Sequence, residues 1–587
     1  MEGIKHLEAL DFAVLAGYFA VIILIGSYVA KYVRHAKDYF VAGAGIPWWF
    51  GAISLWMAGF SALAFVMYSE IGYKYGLTAL TLYWVSVPCM LVGAYLFVGR
   101  WRRARMMSPI GFVEARFSPA LRQVFVWTGF PLRFIDNSIK IYATAIFIVA
   151  AISNQAIDMT RAIWITGIVI IAFSFLGGQW SVLVTDFVQF IIKVLAAVFI
   201  FIIALREVGG IGTFLSNMPA DFKLILHPPY DLYQYLTWIV LVFFSFNAGW
   251  AMIQKYNCVR SESDARKVVV GVAVWNLVLP LILFAPAMFA RVVMPDIPNA
   301  RFSYAYISLK VLPVGMMGVM IAALLSATLA TLSNEYTTLS SVFTNDFYAR
   351  KVFRDASQKH LINVGRASAV LIGIITTVLA VILQHIQGMN LFDIMVKAFT
   401  AFAPAIMAPL LGGILIRRIN SKGALAGIVG GFISGTVLLT LNMILLGAYR
   451  DQFLTNPRLN YWLNQGWSST SIIINFSVTI GGLWLGSVLG KTSDEERRRT
   501  GEFFRQLDTP YVSELTVKQK SPFPAIGIVV ILMGIGMTAI SLAVRYLYPI
   551  PGWFMINMSA SVVLLGLGLL ILLVARMNES ADERERG

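Results

Sequence analysis

The apolar positions of this chain recur in long blocks interrupted by charge or by Pro and Gly, without the strict alternation of a half-buried strand. A helix needs about 20 apolar residues to cross a bilayer, and fifteen blocks approach or exceed that length. They lie at 10–30, 49–72, 78–99, 124–153, 161–177, 181–205, 233–255, 269–294, 312–345, 364–386, 392–416, 423–447, 468–490, 523–547 and 552–576. The pattern predicts an all-α polytopic membrane protein with about fifteen transmembrane helices. The first block follows Glu2, Lys5 and Glu8 and is not succeeded by a small-residue cleavage site, so it reads as a retained helix.

Composition sharpens this picture. Of 587 residues, 58% are hydrophobic and 13% charged, against about 25% charged in an ordinary soluble domain, and the mean hydropathy is +0.75. A water-soluble protein is excluded, and no sizeable extramembrane catalytic domain fits. Lys and Arg number 46 against 30 Asp and Glu, yet the surplus is topological. With the N-terminus outside, alternate loops place 31 basic residues in the cytoplasm and 11 outside, four more lying within spans. This orientation, in a cell membrane, puts the C-terminus in the cytoplasm together with the loop 491–522. The run Arg497-Arg498-Arg499 in that loop reads as a solvated face whose natural partners are anionic lipid headgroups. Cys89 and Cys258 stand far apart, so neither a disulfide framework nor a zinc site is expected.

Three features depart from inert membrane helices. The blocks at 49–72 and 233–255 carry small and polar patches, Ser54-Leu-Trp-Met-Ala-Gly-Phe-Ser-Ala62 and Phe244-Ser-Phe-Asn-Ala-Gly-Trp250. Gly beside Ser or Asn allows a helix to break, which is tolerated at membrane depth only where the break lines a cavity. Two such helices five spans apart fit an inverted five-plus-five repeat, while close packing through small residues is the plainer account. Asp186 stands inside its span, where a carboxylate costs about 2.5–3.5 kcal/mol and calls for a partner, most naturally a cation. The block 312–345 is striped with Ser326, Thr328, Thr331, Ser333, Thr337 and Thr338, with Asn334 and Glu335 among them. Thr331, Glu335 and Thr338 share a face that can offer oxygens to a hard cation, although hydroxyls also bond back to carbonyls one turn earlier. Arg133, Asp136 and Lys140, and Asp393 with Lys397, are spaced as helical ion pairs, structural or forming an interior gate or proton path. Walker-type, His-Glu-x-x-His and Gly-x-Ser-x-Gly signatures are all missing, so neither ATP-driven pumping nor hydrolytic chemistry is indicated.

Several motifs in order resemble the sodium:solute symporter family. These are Asp38-Tyr-Phe-Val-Ala-Gly43 with Pro47-Trp-Trp49, Ser108 to Phe117, Gly177-Gly-Gln-Trp-Ser-Val-Leu-Val-Thr-Asp-Phe-Val-Gln189, and Gln254-Lys-Tyr with Ala265-Arg266. Ala330 to Asn334 through Phe343 to Tyr348, and Asn420 to Gly427, continue the pattern, which runs from about residue 8 to 490. The resemblance implies a LeuT-like inverted-repeat fold with one preceding and four following helices. It divides the chain into an extra helix and cytoplasmic loop (1–48), repeats at 49–205 and 233–416, and two accessory helices (417–490). A cytoplasmic loop (491–522) and two further helices with a short tail (523–587) complete it.

The resemblance also implies a sodium site made by the carbonyls of Met57, Phe60 and Ala327, the side chain of Thr331, and Asp186 beside them. The family's usual serine is here Ala330, so one hydroxyl is lost; water, Thr328 or Glu335 can complete the shell. It implies a solute pocket lined by Trp56, Phe60, Ser61, Phe65, Tyr83, Trp84, Ser245, Phe246 and Asn247. The positions that read sugars in the sodium/glucose branch are Leu63 and Ala64, which disfavours a hexose, and the acidic position of the proline branch is Gly59. An aromatic pocket with few polar groups suits a small organic solute, anionic if Lys140 or Lys397 faces it. The expectation is therefore secondary active symport by alternating access, with Na+ as coupling ion and neither organic cofactor nor nucleic acid involved. Proton-coupled or uncoupled transport, and a solute sensor acting through a separate partner, are the alternatives. Oligomeric state is left open.

Overall fold

The computed structural model describes residues 7–30, 46–106, 108, 110–152, 157–228, 230–385, 391–449, 455–511, 523–547 and 552–584. The Asp38–Gly43 motif and the side chain of Asp393 lie outside the described residues.

Every apolar block has a helical counterpart. The long helices are α1 (Ala9–Ala30), α2 (Trp48–Gly59), α3 (Ala62–Tyr75), α4 (Thr78–Arg103), α5 (Pro119–Ala151), α6 (Met159–Glu207), α7 (Leu232–Ala248) and α8 (Trp250–Cys258). They continue as α9 (Glu262–Val293), α10 (Met316–Ser341), α11 (Gln358–Leu383), α12 (Leu391–Leu415), α13 (Ser421–Ala448), α14 (Trp467–Leu489), α15 (Asp494–Asp508), α16 (Phe523–Leu547) and α17 (Trp553–Arg584). Among the described residues eleven helices are long and apolar enough to cross a membrane, or up to thirteen when each of two bent pairs is taken as one crossing.

Local chemistry sets the helix ends. Ser118, Asp158, Asp231, Ser261 and Asn420 each accept a backbone N–H from the first turn of α5, α6, α7, α9 and α13, satisfying donors that no helical carbonyl can reach. Asp11 of α1 serves α10 in the same way across the fold, accepting from the amides of Gly315 and Gly318 at 2.8 Å each.

The blocks 161–177 and 181–205 form one helical run, α6, of 49 residues, which laid straight would be about 74 Å long. Its two ends nevertheless lie on one side of the fold. α10 and α11 are antiparallel, joined by Tyr336 to Thr376 and by Ser340 to the Gly365 carbonyl. Gln384, just past the end of α11, bonds Thr160, and Lys310, just before α10, pairs with Glu207. The run therefore doubles back between Thr160 and Glu207.

Two helices are interrupted at the expected patches. α2 and α3 meet at 64°, and α7 and α8 at 42°. At the first break Phe60 (φ −125°, ψ 90°) and Ser61 (φ −95°, ψ 174°) are extended, which strips helical partners from the backbone on both sides. At the second, Gly249 has ψ 123°, and a Cβ there would lie 2.9 Å from the Ser245 carbonyl and 3.1 Å from Met252, so only glycine fits without a shift. Ile46 and Val259 form a short parallel bridge that ties the start of α2 to the end of α8 and sets the broken helices side by side. α10 packs most extensively against α6 and also touches α2, α5 and α8, which places its hydroxyl stripe at the breaks.

Candidate functional site

Backbone groups freed by a break at membrane depth must find partners inside the protein. Three side chains from two other helices supply them at the α2–α3 break. Thr328 accepts the Ala62 amide at 3.2 Å and is bonded to Thr144 of α5 at 2.6 Å. Thr331 donates to the carbonyls of Met57 at 3.0 Å and Ala327 at 2.9 Å. Lys193 of α6, wholly buried, donates to the carbonyl of Phe60 at 3.0 Å, with its ammonium 4.7 Å from the Trp56 ring and 5.1 Å from the Phe60 ring.

Asp186, also wholly buried, accepts from Ser54 of α2 and from Asn334 of α10 at 3.1 Å, and lies 3.8 Å from the ammonium of Lys255 on α8. Among the described residues its Oδ1 has no hydrogen-bond partner. Asn334 also donates to the Ala330 carbonyl at 2.7 Å. The structure thus brings Met57, Phe60, Ala327, Thr331 and Asp186 to one region where α2, α6 and α10 meet. Ala330 contributes only its carbonyl.

The rest of the hydroxyl stripe is local. Ser326 and Thr337 bond the carbonyls of Ala322 and Ser333 one turn earlier, and Ser333 that of Ala330. Thr338 does the same to Asn334, and Glu335 pairs with Arg133 of α5 at 3.3 Å, so neither extends a cation-facing row from Thr331.

Beside the breaks lies a cavity of about 220 Å³, lined among others by Gly59, Ser61, Tyr83, Arg133, Asp136, Lys140, Ser245, Phe246, Thr331 and Glu335. Asp136 and Lys140 pair at 2.7 Å as their spacing predicts, and Arg133 lies over the Trp250 ring at 5.6 Å. The cavity therefore carries two acids and two bases in a largely apolar wall. Of the expected pocket residues, Ser61, Tyr83, Ser245 and Phe246 line it and five do not. Trp56 stacks on Phe60 and donates to Asn276; Phe65 packs edge-on against Phe60 and Tyr304; Trp84 donates to the Leu277 carbonyl. Asn247 is spent on the carbonyls of Cys89 and Phe243, where it fills the space left by Gly93. Lys397 is buried in a separate small pocket with Thr400 and Asn442.

Lys193 was not singled out from the sequence, although a lone lysine in Phe190-Ile-Ile-Lys-Val-Leu-Ala-Ala-Val-Phe199 is a legible signal. Ser54, Asn334 and Lys255 carried none that ties them to Asp186.

Residues 39–431 match the sodium:solute symporter family. The chain is 27% identical to a sodium/glucose cotransporter of Vibrio parahaemolyticus, over 73% of this chain and 85% of the relative. It is 25% identical to a sodium/sialic acid symporter of Aliivibrio fischeri, over 72% of this chain and 86% of the relative. Its fold matches that of a substrate-bound, outward-open Na+-coupled sialic acid symporter with a TM-score of 0.64 at 21% identity, covering 81% of this chain and 98% of the other.

Proposed function

The chain belongs to the sodium:solute symporter family, and from that premise we propose sodium-driven import of a small carboxylate-bearing solute by alternating access, with the N-terminus outside. The curated relatives are cotransporters of glucose, sialic acid and inositol, which supports a small organic solute moved with sodium. No covalent chemistry is required: sodium and solute stabilise one occluded state, and each must then raise the other's affinity by the same factor.

The observation that carries the solute class is Lys140 and Arg133 in the wall of the central cavity, each paired with a carboxylate of the protein. A solute carboxylate can accept hydrogen bonds from Lys140 or Arg133 alongside Asp136 and Glu335, with the co-transported sodium balancing the added negative charge, whereas a neutral hexose meets Leu63 and Ala64 and gains no hydrogen bonds there. The sodium site is assigned to the carbonyls of Met57, Phe60 and Ala327 with Thr331, in the field of Asp186.

The test is uptake into proteoliposomes under an inward sodium gradient, with carboxylates, neutral polyols and organic cations compared. Carboxylate uptake is expected, and Lys140→Met should raise its KM roughly ten-fold or more. Uptake of a neutral solute that is indifferent to Lys140→Met would refute the assignment.

A further inference from the structure

The Phe60 carbonyl, one of the oxygens assigned to sodium, is already engaged by a cationic side chain of the chain itself. Lys193 sits two helical turns after Asp186 on α6, so both project toward the broken helix, and Asp186 acts on Lys193 through space. Among the described residues the Phe60 carbonyl is the single hydrogen-bond acceptor of its ammonium, which has three donors to place. The faces of Trp56 and Phe60 complete its surroundings. A carbonyl oxygen, aromatic faces and a nearby carboxylate are what a small monovalent cation would meet at this break.

We infer that Nζ of Lys193 occupies the cation position at the α2–α3 break, so that sodium and Lys193 exclude one another there. The inference rests on the sodium site proposed above and deepens it. One oxygen cannot serve both, and two positive charges a few ångströms apart in a medium of low dielectric repel strongly. Thr331, bridging Met57 and Ala327, and Ala330, without a hydroxyl, leave the remaining oxygens of that site bonded within the protein when Lys193 is in place. Sodium binding then requires Lys193 to withdraw from Phe60. Lys193 thereby sets the sodium concentration at which the transporter loads.

The experiment is sodium-dependent thermal stabilisation of the purified full chain, NaCl replacing choline chloride at constant ionic strength, for the natural protein, Lys193→Met and Lys193→Gln. Half-maximal stabilisation should occur at a sodium concentration roughly ten-fold lower or less in the variants. Equal midpoints in folded variants overturn the exclusion while leaving the sodium site standing; absence of any sodium response in all three forms overturns the sodium site itself. Should neither variant fold, a structure of the natural protein in saturating NaCl decides: Nζ withdrawn from the Phe60 carbonyl supports exclusion, and Nζ retained there beside a bound sodium overturns it.

Discussion

The hydroxyl of Thr331 is shared between the carbonyls of Met57 and Ala327, so one side chain of α10 holds the broken end of α2 although 274 residues separate Thr331 from Met57. The Met57 carbonyl is orphaned only because its helix stops at Gly59, whereas that of Ala327 lies within α10. The same groups that repair a broken helix are therefore the oxygens available to a cation.

Thr331→Val keeps the volume and removes the hydroxyl. Sodium-dependent uptake should need roughly ten-fold more sodium for half-maximal rate, since a buried carbonyl left without its partner costs about 1–3 kcal/mol and the cation loses a ligand. An unchanged sodium dependence would remove Thr331 from the site.

Asp186 compensates Lys255 at 3.8 Å and receives hydrogen bonds from Ser54 and Asn334. Asp186→Asn leaves the fully buried Lys255 without a counter-charge, and breaking a buried pair on one side typically costs about 3–5 kcal/mol. The melting temperature of the purified variant should fall, and sodium stabilisation should weaken with it. The double variant Asp186→Asn/Lys255→Met should recover part of the melting temperature but not the sodium response, which separates the structural role from the binding role.

On the side of the fold where α12 ends, Arg116 is wholly buried and donates to the carbonyls of Gly413, Ile416, Arg417 and Ile419 and to Thr500 of α15. It caps the end of α12 and docks the amphipathic α15, whose Phe503, Phe504 and Leu507 are buried. Burial pushes its guanidinium down to about 10, still far above neutrality, so the clamp keeps its charge and is insensitive to pH near 7. Arg116→Lys lacks the planar fork and should lower stability by about 2 kcal/mol. Limited proteolysis should then cut within 494–508 sooner than in the natural protein; equal cutting rates would show that α15 docks without Arg116.

The charge run Arg497-Arg498-Arg499 illustrates how far sequence pattern reaches. It reads as a solvated face, and the structure pairs Arg497 with Asp494, Arg498 with Glu502 and Arg499 with Glu495 along one helix. Spacing alone makes such pairs visible, as it did Asp136 with Lys140. Arg133 with Glu335 was out of reach, because their 202-residue separation carries no periodicity.

The hydrophobic blocks by themselves determined the helices, since apolar runs of this length without a strand's alternation satisfy their backbone in a membrane as helices, and Gly beside Ser and Asn marked where two of them break. The tertiary structure alone decided which side chains answer those breaks. Hydrogen bonds and ion pairs act over about 3–4 Å, and helix packing brings Lys193 to Phe60, Thr331 to Met57 and Ser54 to Asp186. Residue order along the chain says nothing about such distances until the helices are packed.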